Sequence, residues 1–168
     1  MKGKLIFKEE QSFVGTWMWY LVIGISLVSV GGTALAVFYR QDTEGIVGLI
    51  IAAIVTGGLV MLFIFSKLHI SIDQENLYYR YPPFVNKEKK ITKDDVKEIY
   101  IRQYSPIMEY GGWGYRISIR NGKALNVVGN TGLQLVTKND KRILLGTQKS
   151  DELERAVRRL KENWGIDG

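Results

Sequence analysis

Two uncharged apolar runs, Trp17 to Phe38 and Ile46 to Phe65, separate a short polar amino end from a long stretch in which apolar and polar residues alternate. Each run is about 20 residues long, and a helix of that length reaches about 30 Å, the thickness of a bilayer's hydrocarbon core. A soluble helix of this length carries a polar face at the helical period, yet the only polar side chains here are Ser26, Ser29, Thr33 and Thr56. Their hydroxyls can bond the carbonyls of their own helix one turn earlier, so they cost little in lipid. The pattern predicts an amino segment over 1–16 and a transmembrane helical hairpin over 17–66. Its spans are 17–38 and 46–66, joined by a short external loop at 39–45. The first run is too long for a signal-peptide core and lacks a small-residue cleavage site, so it reads as a retained span.

From Lys67 onward the period changes to two. Leu68, Ile70 and Ile72 alternate with His69 and Ser71, and Leu77, Tyr79 and Tyr81 alternate with Tyr78 and Arg80, which predicts a hairpin turning at Asp73-Gln74-Glu75-Asn76. Pro82-Pro83 ends its second strand, because proline lacks the amide that a ladder needs. Phe84-Val85 opens a further strand, the lysine-rich segment 86–93 reads as a polar connection, and Val96 to Gln103 reads as a strand. Thr92 to Asp95 fits either that strand's start or one helical turn. Asn121-Gly122, between Ser118-Ile119-Arg120 and Lys123-Ala124-Leu125, signals a type I′ hairpin, and Leu133 to Thr137 pairs with Arg142 to Leu145. Ser150 is the expected N-cap of a final amphipathic helix whose stripe is Leu153, Ala156, Val157, Leu160 and Trp164, with Gly165 as its stop. The whole predicts a membrane-anchored α+β chain: a two-helix hairpin, then a domain over 67–168 built as an antiparallel meander of about seven strands, closed at one end by the amphipathic helix.

Charge sets the expected orientation. Lys2, Lys4 and Lys8 precede the first span and Lys67 and Arg80 follow the second, whereas the loop between them offers Arg40 offset by Asp42 and Glu44. The positive-inside rule then places both termini and the domain in the cytoplasm of a multi-pass cell-membrane protein. No ionisable residue lies within either run, which argues against transport or intramembrane catalysis. Small residues at helical spacing, Gly32 and Ala36 in the first span and Gly48, Ala52 and Thr56 in the second, suit packing of one span on the other or self-association between copies.

Catalytic chemistry is poorly supplied. The 168 residues contain no cysteine and a single histidine, His69, so neither a thiolate nor a histidine-rich metal site can be assembled, and no cofactor is expected. Gly112-x-Gly114 lacks the third glycine of a dinucleotide fingerprint and precedes a strand. The chain is therefore expected not to be an enzyme. Binding is the stronger class. Lys87, Lys89, Lys90 and Lys93 form a basic cluster that suits anionic lipid headgroups or a solvated loop. Trp113, set between glycines, either dips into an interface, docks a partner or folds onto the domain. Tyr104 to Tyr110 reads as an exposed, partly apolar loop. Basic residues scattered among strands argue against nucleic acid.

Gly112-Trp113-Gly114-Tyr115-Arg116, Gly129-x-x-Gly132-x-x-Leu135 and Leu145-Gly146-Thr147 resemble bacterial membrane-anchored proteins that carry a pleckstrin-homology-like (PH-like) domain after a two-helix hairpin. The resemblance implies a PH-like β-barrel with a carboxyl-terminal helix and a bacterial inner-membrane address. Phosphoinositide recognition does not carry over, because the first hairpin turn, Asp73 to Asn76, is acidic rather than basic. Trp113, Arg116 and the four lysines are the expected contact residues. The expected role is that of a scaffold or assembly protein that binds another protein or itself. An anionic-lipid sensor or an accessory subunit of a membrane transporter or enzyme complex is the alternative.

Overall fold

A computed structural model describes residues 3–40 and 43–166. The chain divides into two compact units, Met1–Gln11 together with Lys67–Gly168, and Ser12–Ser66.

The second unit is the helical hairpin, α1 (Trp17–Arg40) and α2 (Thr43–Phe65). Within it, Trp17–Tyr39 and Gly45–Phe65 are long and apolar enough to cross a membrane, with mean hydropathy of 2.2 and 2.7. Almost none of their side chains is buried by the protein, the distribution expected of helices solvated by lipid. The hydroxyls behave as the sequence predicts: Ser26, Thr33 and Thr56 donate to the carbonyls of Val22, Ser29 and Ala52, each at 2.7 Å. α1 and α2 pack side by side, and a Cβ added at Gly48 would sit 4.0 Å from Cγ2 of Thr33, so the small-residue stripe serves span-to-span packing there. Gly32 and Gly57 face open space.

Among the described residues, the first unit holds nine strands in two sheets. One runs in the order β1-β2-β3-β4, from β1 (Phe7–Ser12), β2 (Lys67–Ile72), β3 (Leu77–Tyr81) and β4 (Val85–Ile91). The other runs β5-β8-β9-β7-β6, from β5 (Val96–Gln103), β6 (Gly114–Ser118), β7 (Gly122–Asn126), β8 (Thr131–Thr137) and β9 (Arg142–Gly146). A short helix α3 (Pro106–Tyr110) follows β5, and α4 (Ser150–Trp164) ends the chain. The architecture is α+β as expected, but the sheets do not close into a barrel, and the second is mixed instead of a meander: β7 enters between β6 and β9 and runs parallel to β9. A glycine makes that insertion possible. A Cβ at Gly122, which has φ +78°, would lie 2.3 Å from the carbonyl oxygen of Arg142.

The predicted first hairpin forms with His69 opposite Arg80 and Ile72 opposite Leu77. Its turn is organised by Asp73, whose Oδ1 accepts from the amides of Glu75 and Asn76 at 2.9 and 2.7 Å, while Oδ2 accepts from the Tyr78 hydroxyl at 3.0 Å. α4 docks onto the same turn: Trp164 Nε1 donates to the Glu75 carbonyl at 2.6 Å and Asn163 Nδ2 to that of Gln74 at 2.7 Å. The predicted apolar stripe of α4 is buried, and Gly165 ends the helix in the left-handed conformation. Lys149, not Ser150, is the N-cap residue, because the Thr147 hydroxyl takes the amide of Lys149 and the helix begins one residue later.

Three further segments depart from expectation. The stretch 86–93 is mostly strand: β4 pairs with β3 through Tyr78–Lys90 and Tyr79–Lys89, and its lysines are tolerated because the strand lies at a sheet edge. Thr92 to Asp95 resolves as one tight helical turn, with Asp95 Oδ2 accepting from Thr92 N and Oγ1 at 2.9 and 2.7 Å. The β6–β7 connection is a three-residue loop, Ile119 to Asn121, followed by positive φ at Gly122, the first residue of β7, and not a two-residue type I′ turn.

The amino segment carries the most consequential difference. Phe7–Ser12, upstream of the first membrane helix, is a strand of the domain that follows the second, so one sheet takes strands from both sides of the hairpin in the chain. Ile6 N donates to Ile72 O at 2.8 Å, and Gly3 N to Asp73 Oδ2 at 3.1 Å. Phe7, Glu9 and Gln11 point inward. Glu9 accepts from Thr147 Oγ1 at 2.7 Å and from Gln148 N at 2.8 Å, and Gln11 Nε2 donates to Gly146 O at 2.7 Å. β1 is thereby fastened both to β2 and to the β9–α4 connection.

Candidate interaction surface

The residues singled out from the sequence do not form one site. Lys87, Lys89 and Lys90 lie on β4, and Lys93 opens the helical turn beyond it. Because side chains alternate along a strand, Lys89, opposite Tyr79, and Lys90, opposite Tyr78, lie on different faces of the sheet, so the four cations are not a single patch. Arg116 belongs to the other sheet, on β6, and Trp113 lies just before that strand. Trp113 folds back onto the domain, with Nε1 donating to Gly129 O at 3.2 Å. Arg116 Nε donates to Trp113 O at 2.9 Å, and its guanidinium lies beside Gly112, which has a φ of +130°.

An aromatic column beside these residues ties the sheets together. The Phe84 ring stacks between Tyr81, at 5.9 Å, and Tyr115, at 5.3 Å, and the Tyr81 hydroxyl donates to the Asn126 carbonyl at 3.3 Å. Burial, slightly offset by Arg116, raises the Tyr81 hydroxyl well above its ordinary pKa, so it stays a donor.

The segment expected as an exposed loop is more structured than that. Ser105 caps α3 by accepting from Met108 N, Gly111 ends it, and Tyr104 and Tyr110 turn inward onto Ala124 and Leu144. Glu109 is held by Arg102 at 2.8 Å, and that hydrogen bond, against the opposing effect of burial, keeps its carboxyl below the usual range. Burial pushes the Tyr104 hydroxyl up to about 12, countered in part by its bond from Asn126 Nδ2 at 2.9 Å. What α3 leaves outside is apolar: Ile107 is 60 % and Met108 86 % exposed.

A second exposed apolar surface was not foreseen from the sequence. The register aligns Ile117, Lys123, Ile143, Leu135 and Ile99 in one row across all five strands of the second sheet. Leu135 and Ile99, beside α4, are buried, whereas Ile117 is 67 % exposed and Ile119, in the following loop, is fully exposed. Ile117, Ile119 and Ile143 line a groove of about 580 Å³ whose rim includes Arg120, Lys123, Lys141 and Arg142. Four cations drawn from two separate turns meet here. Each looks unremarkable in the linear chain, and only the parallel β7–β9 pairing brings them together.

His69 is the one imidazole. Its Nδ1 lies 3.4 Å from Glu10, whose other oxygen is 3.3 Å from Lys67 Nζ. Burial lowers its pKa, Glu10 opposes that shift, and Arg80 and Lys67 add to it. Among the described residues no three His, Asp or Glu side chains converge to hold a metal ion. No protein-family model, curated protein or solved structure matches the chain.

Proposed function

We propose that this chain is a non-catalytic scaffold or assembly protein of a bacterial inner membrane, with a PH-like domain in the cytoplasm that binds another protein or a second copy of itself. Two membrane-length helices support the anchor. The pairing of β1 with β2 supports an even number of spans, because strands on either side of the hairpin are partners in one sheet. The Lys and Arg bias flanking the spans supports a cytoplasmic domain. Two sheets with a carboxyl-terminal helix are the coarse outline that the PH-like resemblance implies, although the order of the second sheet differs from a meander.

The observation that carries the binding role is the outer face of α3. Ile107 and Met108 project from a helix whose other side is fixed by Tyr104, Tyr110 and the Arg102–Glu109 pair. Rigidly held apolar side chains in the open are the chemistry of a docking surface, and methionine adapts readily to a partner. Lys87, Lys89 and Lys90 on β4 are better explained as protection of an open sheet edge than as a lipid sensor.

The test is native mass spectrometry of the full chain purified in mild detergent. A stoichiometric protein partner or a homo-oligomer is expected, lost in Ile107→Glu/Met108→Glu while the domain keeps its circular dichroism. A monomer without a partner, or an assembly indifferent to that double substitution, rejects the reading.

A further inference from the structure

We infer that the tip of the β6–β7 hairpin is a second membrane contact, one that docks the domain onto an anionic phospholipid surface. The inference rests on the membrane anchoring proposed above and is independent of the partner bound at α3.

The argument begins with a row of side chains that changes environment along its length. Where it passes Ile99 and Leu135 it belongs to the core, at Ile143 it is half-buried, and at Lys123 and Ile117 it is exposed. Ile119 continues this apolar strip beyond the end of β6 and stands fully exposed on the loop. An isoleucine at the apex of a hairpin is a projection, and a projection enters a deformable medium more readily than it fits a preformed surface.

The charges around it choose the medium. Arg120 and Lys123 come from the β6–β7 hairpin and Lys141 and Arg142 from the β8–β9 turn, all exposed and none in an ion pair among the described residues. The one acid on the rim, Asp140, is already engaged by Lys97 at 2.8 Å. Apolar side chains ringed by cations match a lipid surface with acyl chains beneath and anionic headgroups at the height of the ring. That surface is also close at hand, since only Ser66 separates α2 from β2. A short tether raises the effective concentration of the lipid, so a weak contact suffices. Docking holds the domain in a fixed attitude to the leaflet and makes that attitude depend on the anionic lipid content.

The chain has no cysteine, so a single introduced thiol reports one position without background. Full-length Ile119→Cys, labelled with an environment-sensitive fluorophore, is placed in nanodiscs of phosphatidylcholine, with or without phosphatidylglycerol. Ser150→Cys, at the start of α4, serves as the reference position. The expected result is a blue shift and shielding from acrylamide at position 119, and not at 150, only when phosphatidylglycerol is present. Molar salt, which cuts the screening length from about 10 to 3 Å, releases it. Arg120→Glu/Lys123→Glu/Lys141→Glu lowers the docking equilibrium by about a hundredfold or more. Quenching at 119 that is equal in both lipids overturns the inference. Shielding that persists in phosphatidylcholine alone or in detergent also overturns it and assigns the tip to a protein contact. A chain that fails to enter nanodiscs at all refutes the anchor itself, an outcome separable from the others.

Discussion

Removing the Glu9 carboxylate should detach the amino-terminal strand from the domain. Glu9 is buried and accepts hydrogen bonds from Thr147 Oγ1 at 2.7 Å and Gln148 N at 2.8 Å. A hydrogen bond to a charged group contributes about 1.5–3 kcal/mol, so Glu9→Ala is expected to lose about 3–6 kcal/mol of the attachment between β1 and the β9–α4 connection. The Thr147 hydroxyl and the Gln148 amide are then left without their acceptor. Even the lower figure raises the opening equilibrium of β1 by more than about a hundredfold. Hydrogen exchange of the full chain in nanodiscs reads this directly: amides of Phe7–Ser12 should lose protection in Glu9→Ala, with those of β8 and β9 far less affected. Thr147→Val removes one of the two bonds and should produce a smaller loss, about 1.5–3 kcal/mol. Unchanged protection of Phe7–Ser12 in Glu9→Ala would refute the reasoning, because it would mean that the ladder to β2 and the Gln11–Gly146 bond hold β1 without Glu9.

Two other substitutions test the interior. Burial opposes ionisation of Asp73, but the amides of Glu75, Asn76 and Gly3 and the Tyr78 hydroxyl outweigh it and hold its pKa below the usual value. A carboxyl depressed on folding adds stability that is present above its unfolded pKa of about 3.9 and lost as pH falls through the lower folded value. Asp73→Asn should therefore flatten the acid limb of a denaturation profile and cost about 2–4 kcal/mol at neutral pH; an unaltered acid limb would exclude Asp73 as its source. Gly122→Ala places a Cβ 2.3 Å from the Arg142 carbonyl oxygen at a φ of +78°. It should cost about 2–4 kcal/mol in thermal or urea unfolding, and a variant as stable as the parent would contradict the tight β7–β9 approach.

What could be read from the linear chain follows from how locally each element is determined. The membrane helices, the Asp73–Asn76 hairpin and the stripe of α4 declare themselves because their periodicity is uninterrupted and their turn or cap residues are adjacent in sequence. β1 hides because two of its three inward positions are Glu9 and Gln11, which breaks the apolar alternation by which a half-buried strand is recognised. The partners of Glu9 and of Gln11 Nε2, Thr147 and Gly146, lie more than 130 positions away, so no local signal announces them. β4 hides for the opposite reason: nearly all of its residues are exposed, as an edge strand allows. The basic-rimmed groove depends on the order β8-β9-β7-β6, a non-local pairing that a meander would not produce. The lysine-rich stretch, conspicuous in one dimension, is divided between two faces once its backbone becomes a strand.

The measurement closest to the central claim is the sidedness of the chain's two ends. Single-cysteine variants Lys4→Cys, Gln41→Cys and Glu162→Cys are exposed to a membrane-impermeant thiol reagent in intact spheroplasts and again after lysis. A sheet that takes strands from both sides of a membrane hairpin predicts that 41 labels in intact spheroplasts, while 4 and 162 label together only after lysis. Labelling of 4 and 162 from opposite sides would contradict it, since β1 could then not be a strand in the same sheet as β2.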